Sequence, residues 1–98
     1  MDPTRDDIDA MPGLVALEFG TDWCGFCQGA RSLIDRALGA HPAVRHLSVE
    51  DGKGKRLGRT FGVKLWPTLV LLRDGREVAR VVRPRSDAEL ASAFAALG

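Results

Sequence analysis

Two cysteines three positions apart, Cys24 and Cys27 in Trp23-Cys24-Gly25-Phe26-Cys27, are the residues of this sequence best suited to chemistry. A dithiol at that spacing supports reversible disulfide exchange: a thiolate attacks a disulfide sulfur and its neighbour resolves the mixed disulfide. The same spacing is half of a tetrahedral zinc site, for which the chain offers only His41 and His46 as further ligands. His46 falls inside a predicted strand and His41 sits beside Pro42, so no metal is expected. Nor do two cysteines make a secreted-type framework, because so short a loop removes almost no chain entropy.

The elements around the motif assign each thiol a role. Leu14-Val15-Ala16-Leu17-Glu18-Phe19 is almost continuously apolar, as a strand covered on both faces reads, with Glu18 the exception. Beyond the motif, Ala30, Leu33, Ile34, Ala37 and Leu38 recur at helical spacing, with Gly39 as the predicted stop. Cys24 therefore lies just inside a helix N-terminus, where unpaired N–H groups and the positive end of the dipole stabilise an anion. Cys24 is the expected nucleophile and Cys27, one turn on along the same face, the resolving thiol. Gly25 lets the chain bend between them, and Trp23 is placed to cover one side of the sulfur.

The rest of the chain reads as more of the same α/β alternation. Residues 4–10 form a short helix with Ile8 and Met11 facing inward, within a lead of residues 1–13 ended by Pro12-Gly13. Residues 44–49 make a second strand, parallel to the first because a helix joins them. Gly52, Gly54 and Gly58 limit residues 52–61 to a turn or two anchored by Leu57 and Phe61. Residues 68–73 and 77–83 flank Asp74-Gly75, a tight-hairpin dipeptide. Ser86-Asp87-Ala88-Glu89 is a capping box opening a helix with a Leu90, Phe94, Leu97 stripe. The order is β-α-β-α-β-β-α in one domain over residues 1–98.

Composition narrows the function classes. With 98 residues, 45% hydrophobic content and a net charge of +1, nothing points to nucleic acid or anionic lipid. Lys53, Lys55, Arg56 and Arg59 fit no phosphate-loop spacing and have no stacking aromatics, so they read as a solvated face. The acidic N-terminus has no apolar core of a secretory signal, and Leu69-Val70-Leu71-Leu72 is far too short to cross a bilayer. A cytoplasmic monomer without a cofactor is expected.

Leu14 to Cys27, Trp66-Pro67-Thr68-Leu69, the Arg73-Asp74-Gly75 turn and the closing helix together resemble the thioredoxin family over nearly the whole chain. The resemblance implies a thiol–disulfide oxidoreductase, most simply a protein-disulfide reductase. It implies a cis bond before Pro67, a Trp66 backbone available to substrate, a disulfide-bearing protein client, and a thioredoxin reductase or glutathione as electron donor. An oxidant or isomerase, and a partner-binding adaptor without turnover, are the alternatives. The family's first strand has no counterpart, so the sheet is expected to have four strands. Phe26 stands where the family carries proline, which implies a potential between about −270 and −180 mV. Glu18 matches a buried family Asp that carries a proton for the second cysteine, and His46 matches a Lys beside it, which implies a Glu18–His46 contact. Leu65 and Arg83 replace small residues of the family's groove. Arg83, with Arg80 and Arg85, is expected to give its rim a positive edge.

Overall fold

The computed structural model describes residues 3–97; Met1, Asp2 and Gly98 lie outside the described residues. The elements are α1 (Arg5–Asp9), β1 (Leu14–Gly20), α2 (Gly25–Ala40), β2 (Arg45–Glu50), α3 (Leu57–Thr60), β3 (Thr68–Arg73), β4 (Arg76–Val82) and α4 (Asp87–Ala95). The four strands form one mixed sheet in the order β2-β1-β3-β4, with β1 and β2 parallel and the other neighbours antiparallel.

Period-two alternation sorts β1 between two cores. Val15, Leu17 and Phe19 pack with Ile8, Leu57, Phe61, Val70 and Leu72 beneath α1 and α3. Ala16 faces the other way, into a cluster with Ile34, Leu69, Leu71, Leu90 and Phe94 from α2, β3 and α4. Glu18 shares the parity of Ala16 and therefore points toward α2, the helix that carries the cysteines. The strand is buried on both faces, so a carboxylate is delivered into the interior under the dithiol.

Several local details differ from the sequence expectation, most of them by one residue at an element's end. Gly39 lies inside α2, which runs on to Ala40. The chain leaves the helix at His41, with φ −131 and ψ 68; its N–H donates to Leu38 O and its Nδ1 lies 2.9 Å from Ala37 O. Pro42 cannot continue the helical ladder, and this sets the stop. Val44 belongs to the preceding turn, its N–H donating to His41 O at 3.0 Å. The α4 capping box is half made: Ser86 Oγ accepts from Glu89 N–H at 3.2 Å, but Glu89 Oε1 accepts from Arg85 N–H at 3.0 Å, one residue further back. The full reciprocal box is at α1, between Thr4 and Asp7.

The hairpin turn is of the tight primed kind, with φ 50 at Asp74 and 80 at Gly75. Asp74 also ties the hairpin to the lead: its Oδ1 accepts from Gly13 N–H at 2.8 Å and its N–H donates to Gly13 O at 2.9 Å. A Cβ at position 75 would run into the carbonyl oxygen of Asp9. Gly75→Ala is thus expected to destabilise the protein by about 1–3 kcal/mol through positive φ and that clash. An unchanged urea midpoint would overturn this.

Candidate active site

Cys24 is the N-cap of α2, one position before the helix, where the sequence placed it just inside. Its extended backbone (φ −75, ψ 115) turns the thiol back over the first turn, and Sγ accepts from Cys27 N–H at 3.1 Å. The sulfur occupies the place a serine or aspartate oxygen takes at ordinary N-caps, so one orphan donor of the helix is spent on it. The loop is fixed by Cys24 N–H donating to Thr21 O at 3.3 Å and Gln28 N–H to Cys24 O at 3.1 Å. Both thiols are free and buried. Burial pushes the Cys27 thiol up to about 11; its hydrogen bond with Cys24 and the charges of Cys24 and Glu18 add to this, while the Thr21 backbone opposes it.

Beneath Cys27, Glu18 is only 3% exposed. His46 Nε2 lies 2.8 Å from Glu18 Oε1, and Arg31 Nη2 lies 3.7 Å from Oε2. His46 reaches it from the neighbouring strand, two residues before Glu18's register partner Ser48. A buried carboxylate requires such partners. Glu18, Thr21, Cys27, Arg31 and Ser48 line one cleft of about 280 Å³ that opens to solvent. Among the described residues Thr21 Oγ1, on the wall of this cleft, is buried without a hydrogen-bond partner. Gly20 keeps the approach open, since a Cβ there would stand 2.6 Å from Cys27 Sγ.

On the other side of the dithiol, the Trp66–Pro67 bond is cis. Trp23 is 74% exposed and meets Trp66 edge to face, ring centroids 5.5 Å apart. Trp66 is held from below, its indole N–H donating to Asp51 Oδ2 at 2.8 Å. The Trp66 carbonyl already accepts one hydrogen bond within the fold, from Arg83 Nε at 2.8 Å. Arg83 N–H donates to Pro67 O, and the Arg83 guanidinium lies over the Phe26 ring, 3.8 Å from its centroid. Antiparallel pairing brings this about, since Val82 lies opposite Thr68 and delivers position 83 beside the loop before β3. Arg80 leaves the rim altogether. By strand parity it turns to the opposite face, where it pairs with Glu77 at 2.6 Å and donates to Phe61 O, and Glu77 holds its guanidinium above the usual range.

The geometry has counterparts among known proteins. The thioredoxin family model matches residues 5–96. The chain belongs to the thioredoxin family. Thioredoxin from Chlamydia muridarum is 36% identical over 70 residues, covering 71% of this chain and 69% of that protein. The solved structure of reduced thioredoxin 2 from Pseudomonas aeruginosa PAO1 has a TM-score of 0.88 and 58% identity, over 98% of this chain and 89% of that one. A mutant thioredoxin from Halobacterium salinarum NRC-1 gives 0.74 at 28% identity, over 95% and 82%.

As a member of the thioredoxin family, the chain is a thiol–disulfide oxidoreductase, an enzyme of the protein-disulfide reductase type acting on disulfide-containing substrates. Its fold is the thioredoxin-like α/β fold with a four-stranded mixed sheet. Among the described residues, no helix is long and apolar enough to cross a membrane. Two residues of the thioredoxin-type site carry little signal in the sequence. Asp51, which steadies Trp66, is hidden beside a glycine-rich stretch; a Cβ on Gly58 would fall on its carboxylate, so the close approach is the available signal. Thr21 has no distinguishing pattern at all.

Proposed function

We propose that Cys24 attacks client disulfides and Cys27 resolves them, with Glu18 as the proton carrier for Cys27. The asymmetry between the thiols carries this reading. Cys24 Sγ accepts an N–H at the start of α2, whereas Cys27 is held protonated by burial. In the first step Cys24 thiolate forms a bond to one client sulfur, the client S–S bond breaks, and the departing thiolate takes a proton. Cys27 then gives its proton toward Glu18 through the cleft and its thiolate attacks Cys24 Sγ; the bond between Cys24 and the client breaks, and the second client sulfur leaves as a thiolate that takes up a proton. The client gains two electrons and two protons, and the Cys24–Cys27 disulfide awaits two electrons from a donor.

Gly25 and Phe26 open α2 directly behind Cys24 and fix the helix end that presents it. Trp23, Trp66, Pro67 and Arg83 form the surface that holds the client. The donor is a thioredoxin reductase or a glutathione system, the clients are disulfide-bearing proteins, and a reducing compartment such as the cytoplasm suits two free thiols. The unit that works is a monomer with a single domain, binding neither nucleic acid nor membrane and using no cofactor or metal.

The test is a trap. Cys27→Ser, mixed with a protein disulfide, is expected to accumulate a one-to-one adduct at Cys24, visible by mass and reversed by dithiothreitol. If no adduct forms while the unaltered protein also turns over no disulfide, the chain acts as a binding adaptor and the reading is wrong.

A further inference from the structure

Phe26, Leu65, Val82, Arg83, Pro84 and Arg85 line an apolar groove of about 750 Å³ alongside the first turn of α2. Its size is that of a ligand cleft, and three of its hydrophobic walls are exposed: Phe26 at 60%, Leu65 at 47% and Val82 at 43%. Among the described residues, Arg83 and Arg85 are the charged ones lining it. Among the described residues neither guanidinium meets a carboxylate. Arg83 is engaged by a neutral carbonyl and a ring face, and Glu89, the nearest acid in sequence after Asp87, accepts from the Arg85 backbone and the Ser86 hydroxyl. The chain as a whole is close to neutral, at +1.

Arg83 is also fixed in place. Three contacts, to Trp66 O, to the Phe26 ring and from its own N–H to Pro67 O, hold its guanidinium between the motif and the cis-proline loop. A pre-positioned guanidinium loses little freedom on meeting a carboxylate and can bind it with two parallel hydrogen bonds.

We propose that this groove selects disulfides whose reacting cysteine is flanked by aspartate or glutamate, with Arg83 and Arg85 reading the acidic side chains beside Phe26. The proposal rests on the disulfide exchange at Cys24 described above and specifies its substrate class.

The test uses the reduced full-length protein and three peptides of one length, each with a central cysteine blocked as a mixed disulfide with nitrothiobenzoate. Their flanks carry glutamate, glutamine or lysine. Release of the coloured thiolate under single-turnover conditions is expected to be about tenfold faster for glutamate than for glutamine, slowest for lysine, and to converge as salt is raised. The glutamate-to-glutamine ratio should fall toward one in Arg83→Gln and in Arg85→Gln, the latter an exposed side chain whose loss leaves the fold intact. A ratio of one in the unaltered protein, or one that survives both substitutions, overturns the proposal. So does faster reduction of glutathione disulfide than of the glutamate peptide, which would make the groove a glutathione site. Failure to reduce even the glutamine peptide would strike instead at disulfide exchange itself.

Discussion

Cys24→Ser is expected to lower protein-disulfide turnover by more than about a thousandfold while leaving the fold intact. The reason is the position of this sulfur. At the N-cap of α2 it already accepts the Cys27 N–H, and a hydroxyl there accepts the same bond, since serine is a preferred N-cap residue. Helix stability is therefore kept. The nucleophile is lost, because a serine hydroxyl ionises far too rarely at neutral pH to attack sulfur, and among the described residues no side-chain base hydrogen-bonds to Cys24 Sγ. Cys27 does not substitute: it is buried and held protonated, with its thiol raised to about 11. The measurement is turnover of a protein disulfide with excess dithiol, alongside thermal unfolding. Retention of a tenth of the activity would show that Cys27 can initiate exchange and would reverse the assignment of the two thiols.

The second large effect belongs to Glu18. A thiol with a pKa of about 11 is ionised in only about one molecule in 10⁴ at pH 7, so resolution by Cys27 needs a proton acceptor. Glu18 is the carboxylate under it, and the shared cleft leaves room for water between them. Glu18→Gln keeps the volume and a polar group for His46 but cannot take a proton. Reaction of reduced protein with a nitrothiobenzoate disulfide releases one coloured thiolate on attack and a second on resolution. The first release should be nearly unchanged in Glu18→Gln, and the second slower by about 10²- to 10³-fold at pH 7. The sign of the pH dependence follows from the raised Cys27 value. Below it, each unit of pH increases the thiolate fraction about tenfold, so the variant's second release should climb steeply between pH 7 and 9 and the gap should narrow. Equal second releases across that range would remove Glu18 from the mechanism.

Much of this was legible in the chain before folding because it depends on near neighbours. The dithiol spacing, the Asp74-Gly75 turn and the Leu57 and Phe61 anchors are short-range patterns, and each appears where the sequence implies. Glu18 could also be read, since a single carboxylate in an apolar strand has its facing set by parity with Ala16. Arg83 is the opposite case. In sequence it is one of several arginines near the end of a strand; in the fold it closes over Trp66 and Phe26, seventeen residues from one and further from the other. Arg80, three positions earlier, turns to the opposite face and is neutralised by Glu77. Parity told the two apart only once the pairing of β3 with β4 was known.

What the amino-acid sequence determined by itself was the reaction: two thiols at one-turn spacing, at the start of a helix that follows a buried strand, allow little but disulfide exchange. What only the tertiary structure decided was the setting of that reaction. Whether Glu18 is buried and paired, which side chain reaches the Trp66 carbonyl, and which arginines face the groove all depend on contacts between strands and loops distant in the chain. Such contacts are fixed by packing and sheet register, which a local pattern of residue types does not encode.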